Sequence, residues 1–267
     1  MTTTALALLV LLLLPALTLG AIQTRTLPVQ YATDPATGDM IVGECFMVWD
    51  DAARTRRPAV LVFPEWMGLN DYAKARARQL AEMGYVAVAV DVYGNGKLAA
   101  DTTEAAQLAT FYRTNRNILR DRARRVLDRV KTLTEVDGQR VAAIGYCFGG
   151  TTVLELARSG AELQGVVSFH GDLTNPTPAD ARNIRCKVLV LHGAMDPFVP
   201  EEQVNTFLRE MNAVGADYIF IAYARAVHSF TNPAAGSDPT RGVAYNADAD
   251  RRSWAAMRQF LQELFGQ

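Results

Sequence analysis

The sequence predicts an α/β chain, with a mainly parallel sheet, helices on both faces and no large lid domain. Three observations carry that prediction. Short continuous apolar runs such as "PAVLVF" (58–63), "RVAAIGY" (140–146) and "KVLVLHG" (187–193) recur along the chain, as expected of strands buried on both faces. Segments with helical spacing of apolar residues alternate with them, the pattern of a parallel sheet covered on two sides. The connections are mostly short. A chain of 267 residues, 49% hydrophobic and 21% charged, is long enough to bury a full core in one domain.

The elements follow in order. Residues 5–21, "ALALLVLLLLPALTLGA", form an uncharged apolar run ending in small residues. A secretory signal has an apolar core of about 7–15 residues and a small-residue cleavage site. Residues 1–20 are therefore expected to be a signal peptide, although "MTTT" ahead of the run has no Lys or Arg. An uncleaved anchor is the rival, but spanning takes about 20 apolar residues and Pro15 interrupts the run. No cysteine follows to take a lipid. The expected location is periplasmic or secreted, with no stable membrane association after cleavage. Residues 21–267 then form a single domain.

Two short strands, "TLPVQYA" and "GECFMVW", precede the buried strand at 58–63. The loop "PEWMGLND" leads to a helix, "YAKARARQLAEMG", closed by Gly84 at the usual C-terminal position. "YVAVAVDVYG" (85–94) is a strand and loop. Helices over 101–114 and 115–134 lead to the strand at 140–146, and a helix over 148–159 ends at Gly160. "GVVSFHG", "KVLVLHG" and "YIFIAY" are three further strands, with helices over 201–214 and 244–264. "HSFTNPAAGSDPTRG" (228–242) is the longest irregular stretch.

The formal net charge is −1, so no basic excess points to nucleic acid. The arginine-rich "RDRARRVLDRVK" (120–131) interleaves Asp121 and Asp128, with Val126, Leu127, Val130 and Leu133 at helical spacing, and reads as a solvated helix face. Three cysteines, Cys45, Cys147 and Cys186, leave at least one unpaired in an exported protein, and pairing of Cys45 with Cys186 stays open. No CxxC pair or His/Cys cluster suggests a metal, and no cofactor is required. The expected partner is a small-molecule substrate, and nothing in the chain signals an oligomeric state.

The chemistry concentrates at "IGYCFGGTT" (144–152), a cysteine between glycines where a strand meets a helix. A nucleophile on such a sharp turn needs a strained backbone at its own position and small neighbours that let the two segments approach. Gly145, Cys147 and Gly149 fit that elbow. The following helix points its N-terminus at the sulfur and favours thiolate. The N–H of Phe148 would form half of an oxyanion hole. A buried structural cysteine is the bland alternative. In this arrangement nucleophile, acid and histidine follow in chain order, each just past a strand. Of three histidines, His228 follows the last strand. His192 sits inside a strand and reads as a satisfied structural histidine, and His170 as a pocket-lining one. Asp196, in "HGAMDPFVP", lies past the second strand after the elbow, and Asp172, past the first, is the rival acid.

"GYCFGG", "HGAMDPFVP", "AVHSF" and "FPEWMGLN" (63–70) together resemble the dienelactone hydrolase family over about residue 40 to the C-terminus. The resemblance implies an α/β-hydrolase fold and a Cys147–Asp196–His228 triad that cleaves a small ester or lactone through an acyl-thiol intermediate. It implies that Glu65 hydrogen-bonds the resting thiol and helps convert it to thiolate, where a capping or surface carboxylate is the alternative. It also implies that Trp66 gives the second oxyanion N–H. Members acting on dienelactone hold its carboxylate with two arginines, and the matching substrate-binding positions here are Asn95 and Asn232. Asparagine carries no charge, so a neutral ester or lactone is expected, with Lys97 and Arg225 the cations near those positions. The alternatives are a thioesterase or general short-chain carboxylesterase and, from another class, a non-hydrolytic redox or binding thiol.

Overall fold

In the computed structural model, residues 21–33, 38–52 and 55–266 are described, so the expected leader over 1–20 lies outside them. The strands are β1 (Ile22–Thr33), β2 (Met40–Asp50), β3 (Arg57–Phe63), β4 (Val86–Ala89), β5 (Val136–Tyr146), β6 (Gly165–Phe169), β7 (Lys187–Gly193) and β8 (Tyr218–Tyr223). The helices are α1 (Asp71–Glu82), α2 (Thr102–Thr114), α3 (Arg116–Lys131), α4 (Phe148–Arg158), α5 (Glu201–Ala213) and α6 (Ala247–Phe265). One sheet forms in the order β1-β2-β4-β3-β5-β6-β7-β8. Strands β3 through β8 run parallel, while β1 and β2 enter by antiparallel pairings at one edge.

The fold class agrees with the sequence expectation. All seven residues of β3 are buried, which is why it reads as an unbroken apolar run. Side chains such as Leu61, pointing to one face, pack against α3, α4 and α5, and those pointing to the other, such as Val60 and Val62, against α1 and α6. Each fully buried Val or Leu in these layers stabilises the fold by about 1.5–3 kcal/mol.

Several boundaries differ from expectation, among them the start of β5 at Val136 and the end of α3 at Lys131. Strands β1 and β2 extend well beyond the predicted seven-residue stretches, because they pair with each other from Ile22↔Asp50 to Thr33↔Met40. Only Val86–Ala89 of the predicted strand at 85–94 is regular. Beyond it Asp91 organises the loop, its carboxylate accepting from Gly94 N, Gly96 N and Glu44 N at 2.9–3.0 Å. Helix α6 starts at Ala247, where Asn246 caps it by accepting from Ala249 N at 3.0 Å.

The arginine-rich face of α3 is only partly solvated. Arg122 is buried, and its Nη1 donates to the Val92 and Tyr93 carbonyls at 2.7 Å. Arg120 pairs with Glu155 and Asp180. Four of the apolar positions behave as expected, with Val126, Leu127, Val130 and Leu133 all buried. Among the described residues, no helix is long and apolar enough to cross a membrane.

Candidate active site

The C-terminal ends of the parallel strands carry the chemistry-bearing side chains. Cys147 sits between β5 and α4 with φ 52° and ψ −112°, outside the regions open to ordinary residues. Gly145 and Gly149 make this turn feasible. A Cβ on Gly145 would lie 2.0 Å from the Gly149 carbonyl oxygen, and one on Gly149 would lie 2.1 Å from that of Phe63. Of five non-glycine residues at positive φ among the described residues, three (Cys147, His170 and Ser229) cluster here. Strain of this kind, about 1–3 kcal/mol each, persists only where the surroundings enforce it.

Cys147 Sγ lies 3.0 Å from His228 Nε2, and His228 Nδ1 lies 2.8 Å from Asp196 Oδ2. Asp196 Oδ1 accepts from Phe198 N at 2.9 Å, which fixes the carboxylate. Burial alone would push the His228 pKa down. The Cys147 sulfur and the Asp196 carboxylate outweigh it and hold the imidazole well above its ordinary value. Of the two candidate acids, the one bonded to His228 is Asp196. Asp172 accepts instead from Thr174 N and Thr174 Oγ1 at 2.9 Å and from Gln203 Nε2.

His170 is closer to the nucleophile than a pocket-lining residue needs to be. Its Nδ1 accepts from Cys147 N at 3.1 Å, and its Nε2 lies 2.8 Å from Thr231 Oγ1. An accepting Nδ1 means a neutral ring, and burial, then the proximity of His228, holds its pKa well below the ordinary value. His192 departs from expectation, since its buried Nδ1 has no hydrogen-bond partner and the ring packs 5.6 Å from Phe220.

Two candidate oxyanion donors flank the sulfur. Phe148 N belongs to the first turn of α4, where no side chain caps the helix. The Glu65–Trp66 peptide is oriented by Gly68 N, which donates to the Glu65 carbonyl at 3.2 Å and leaves the Trp66 N–H facing the opposite way. Tyr93 Oη donates to the Trp66 carbonyl at 2.7 Å, and Arg122 in turn holds the Tyr93 carbonyl.

Three expectations need correction. Glu65 bonds to the histidine loop, not to the thiol. Its oxygens accept from Ser229 Oγ at 2.9 Å and Asn232 Nδ2 at 2.5 Å, two neutral donors that satisfy a buried carboxylate. Burial nonetheless raises its pKa, against those two bonds and the nearby His228 and Arg76. Asn232 is occupied at both ends, since its Oδ1 accepts from Ala234 N at 3.0 Å. Asn95 is exposed and braces β2, its Oδ1 accepting from Val42 N at 2.9 Å. Neither asparagine lines the cavity beside Cys147.

That cavity, of about 450 Å³, has apolar walls from Trp66, Phe198, Val199 and Val243. Phe198 stands edge-on to His228 at 5.4 Å. Arg113, from the end of α2, also lines it. Nothing local marks Arg113 in the sequence, because only packing of α2 over the strand ends brings it there. A larger recess of about 650 Å³ lies at the opposite strand ends, by Gln164, Cys186 and Lys187. It holds no nucleophile–base pair, and burial pushes the Cys186 thiol up to about 12. All three cysteines are free. Among the described residues, no group of three or more His, Cys, Asp or Glu is arranged to hold a metal.

Comparison with known proteins identifies the family of the chain. The sequence pattern of the dienelactone hydrolase family matches residues 45–265. A solved structure named m3DLH superposes with a TM-score of 0.84 at 42% identity, covering 92% of this chain and 100% of that one. A dienelactone hydrolase-like promiscuous phosphotriesterase from metagenomic libraries superposes with a TM-score of 0.83 at 44% identity over the same shares. A relative from Yersinia pestis, named among the carboxymethylenebutenolidases, is 26% identical over 259 residues and 92% of both chains. On the family match and these likenesses, the chain belongs to the dienelactone hydrolase family.

Proposed function

We propose that this carboxylic ester hydrolase cleaves small esters or lactones through Cys147, with His228 as base and acid and Asp196 as the group that orients it. The observation that carries this reading is the continuous chain Cys147 Sγ–His228 Nε2–Asp196 Oδ2, with links of 3.0 and 2.8 Å. His228 takes the thiol proton, Asp196 holds the tautomer and balances the imidazolium, and the thiolate attacks the carbonyl carbon. The N–H groups of Phe148 and Trp66 stabilise the oxyanion, a contribution of about 2.7–4 kcal/mol per donor in other enzymes. The imidazolium protonates the leaving alkoxide, giving a thioester. Water, deprotonated by His228, then attacks the thioester carbonyl and frees the thiol. A purely redox thiol needs neither Asp196 nor His228, and its class is disfavoured on that ground. Glu65, tied to Ser229 and Asn232, acts on the thiol only through the His228 loop in this conformation.

Residues 1–20 act in this proposal as an export signal, leaving residues 21–267 as the mature enzyme. N-terminal sequencing of the exported protein tests that part. The catalytic proposal is tested with 4-nitrophenyl esters. Cys147→Ala, His228→Ala and Asp196→Asn are expected to lose about 10³-fold or more in kcat while staying folded. Full activity in Cys147→Ala would remove the thiol from the mechanism. A second substrate reading, a phosphotriester attacked by the same thiolate, is supported by the 44% identity to the promiscuous phosphotriesterase. It predicts that iodoacetamide abolishes ester and phosphotriester turnover in parallel.

A further inference from the structure

We propose that His170 is a positioning residue for the reaction, a neutral bridge that holds the Cys147 elbow with one ring nitrogen and the His228 loop with the other. The inference rests on the hydrolase reading above and adds a group that sets the spacing between its thiol and its base.

Cys147 and His228 arrive on different elements. The elbow follows β5, and His228 stands on the loop beyond β8. Their side chains meet at 3.0 Å only while those two segments keep their spacing. A second connection between the same segments runs behind that contact. Cys147 N donates to the Phe169 carbonyl at 3.0 Å and also to His170 Nδ1 at 3.1 Å. His170 Nε2 meets Thr231 Oγ1 at 2.8 Å, three residues beyond His228. The bridge is itself anchored to β7, because His170 N donates to the Leu191 carbonyl at 2.9 Å. It links the segments that carry the strained residues Cys147, His170 and Ser229, where only enforced surroundings keep such backbone in place.

The hydrogen-bond directions are fixed from both ends, since a backbone N–H and a guanidinium only donate. Cys147 N–H makes Nδ1 the acceptor, so the ring proton sits on Nε2 and is donated to Thr231 Oγ1. The Thr231 hydroxyl then donates to Tyr72 Oη at 2.7 Å, and Tyr72 donates to the Thr231 carbonyl at 3.2 Å. Arg76, on α1, ends the chain by donating to Tyr72 Oη at 3.3 Å and to the Thr231 carbonyl at 2.8 Å. Asp250, on α6, is its counter-ion at 2.5 Å. A charged His170 would turn a second donor toward Cys147 N–H and break the chain at its first link. The surroundings favour the neutral ring as well. His228 stands edge-on at 5.3 Å, Phe230 and Tyr146 close around the ring at 5.1 and 6.1 Å, and Arg76 and His192 both oppose another positive charge. A neutral bridge also puts no charge beside the imidazolium that His228 becomes. The ring is 1% exposed and does not line the cavity, so its effect on the reaction runs through the spacing of Cys147 and His228.

The test separates spacing from substrate binding and from stability. His170→Phe removes both nitrogens and keeps a ring. On a 4-nitrophenyl ester its kcat should fall about 10²-fold, the order that a misplacement of about 1 Å costs, with KM within about threefold of wild type. His170→Asn, whose Oδ1 can accept from Cys147 N–H, should lose only about tenfold. Thr231→Val should lower kcat about tenfold in the wild type and by less than about twofold in either His170 variant, because both residues act through one bridge. Thermal melts establish that each variant is folded, and if His170→Phe is not, the cycle of His170→Asn with Thr231→Val decides. Wild-type kcat within about threefold in the folded His170 variants, or a Thr231→Val loss of equal size in every background, would make His170 a packing residue and overturn the proposal. A second measurement needs no ester to be cleaved. The Cys147 thiolate displaces iodide from iodoacetamide to give a thioether, and at pH 7 this should slow about fivefold or more in His170→Phe and less in His170→Asn. If the wild type hydrolyses no ester but this order of alkylation rates holds, the hydrolase reading fails and the bridge stands. Alkylation at the wild-type rate in the folded His170 variants refutes the bridge, whatever the esters show.

Discussion

Replacing Gly149 with alanine inserts one methyl group at the point where the elbow, β3 and the Glu65–Trp66 loop meet. The new Cβ would stand 2.1 Å from the Phe63 carbonyl oxygen, 2.5 Å from its carbon and 2.7 Å from the Pro64 oxygen. All three are backbone atoms, so no side chain can rotate away. Restoring ordinary contact, about 3.3 Å for carbon to oxygen, needs about 1 Å of separation between the start of α4 and the end of β3. Overpacking of this order costs about 1–3 kcal/mol. For a chain of this length that lowers Tm by roughly 2–12 °C. The same displacement moves the Phe148 and Trp66 N–H groups apart, and a 1 Å misplacement costs about 10²-fold in rate. Thermal melts and kcat/KM on a 4-nitrophenyl ester read the two effects. Gly215→Ala is the control. Its φ is 65° with nothing within 4 Å of the added Cβ, so it strains the backbone far from the site and should lower Tm without lowering kcat/KM. The reasoning fails if Gly149→Ala melts within about 1 °C of wild type and keeps kcat/KM within about threefold.

Three other outcomes are expected. Burial holds the His170 pKa below its ordinary value of 6.5, so the folded protein binds fewer protons than the unfolded chain as pH falls below that value. Stability from the neutral ring is present above pH 6.5 and lost below it, by about 1.4 kcal/mol per pH unit. Denaturant titrations at pH 7.5 and 5.5 should show that extra loss in wild type and not in His170→Asn. Glu155 is fully buried and faces three arginines, so Glu155→Gln should destabilise by about 3–5 kcal/mol, read from the midpoint of urea unfolding. Burial raises the thiols of Cys45 and Cys186 to about 12, so mass spectrometry after brief iodoacetamide treatment of native protein should find one adduct, at Cys147. Labelling of Cys45 at a similar rate would show that the core opens.

The order and type of the elements after Arg57 were legible in the sequence because strands buried on both faces leave unbroken apolar runs. The elbow was legible for a related reason. Gly145, Cys147 and Gly149 answer a local backbone demand, and local demands are written in adjacent residues. His228 and Asp196 could be picked out because each lies just past a strand and histidines are few. Three features were decided by the tertiary structure alone. Strands β1 and β2 owe their length to each other, through cross-strand hydrogen bonds that no local pattern specifies. Glu65 faces Ser229 and Asn232 across 164 and 167 residues of chain, so its partner depended on which loop the fold brought nearest. Arg113 reaches the cavity because α2 packs over the strand ends, and in the sequence it is one basic residue at the end of a helix, like many others. Periodicity reports what a residue's own element requires. Charge pairing across the cavity depends on distances that only the assembled layers define.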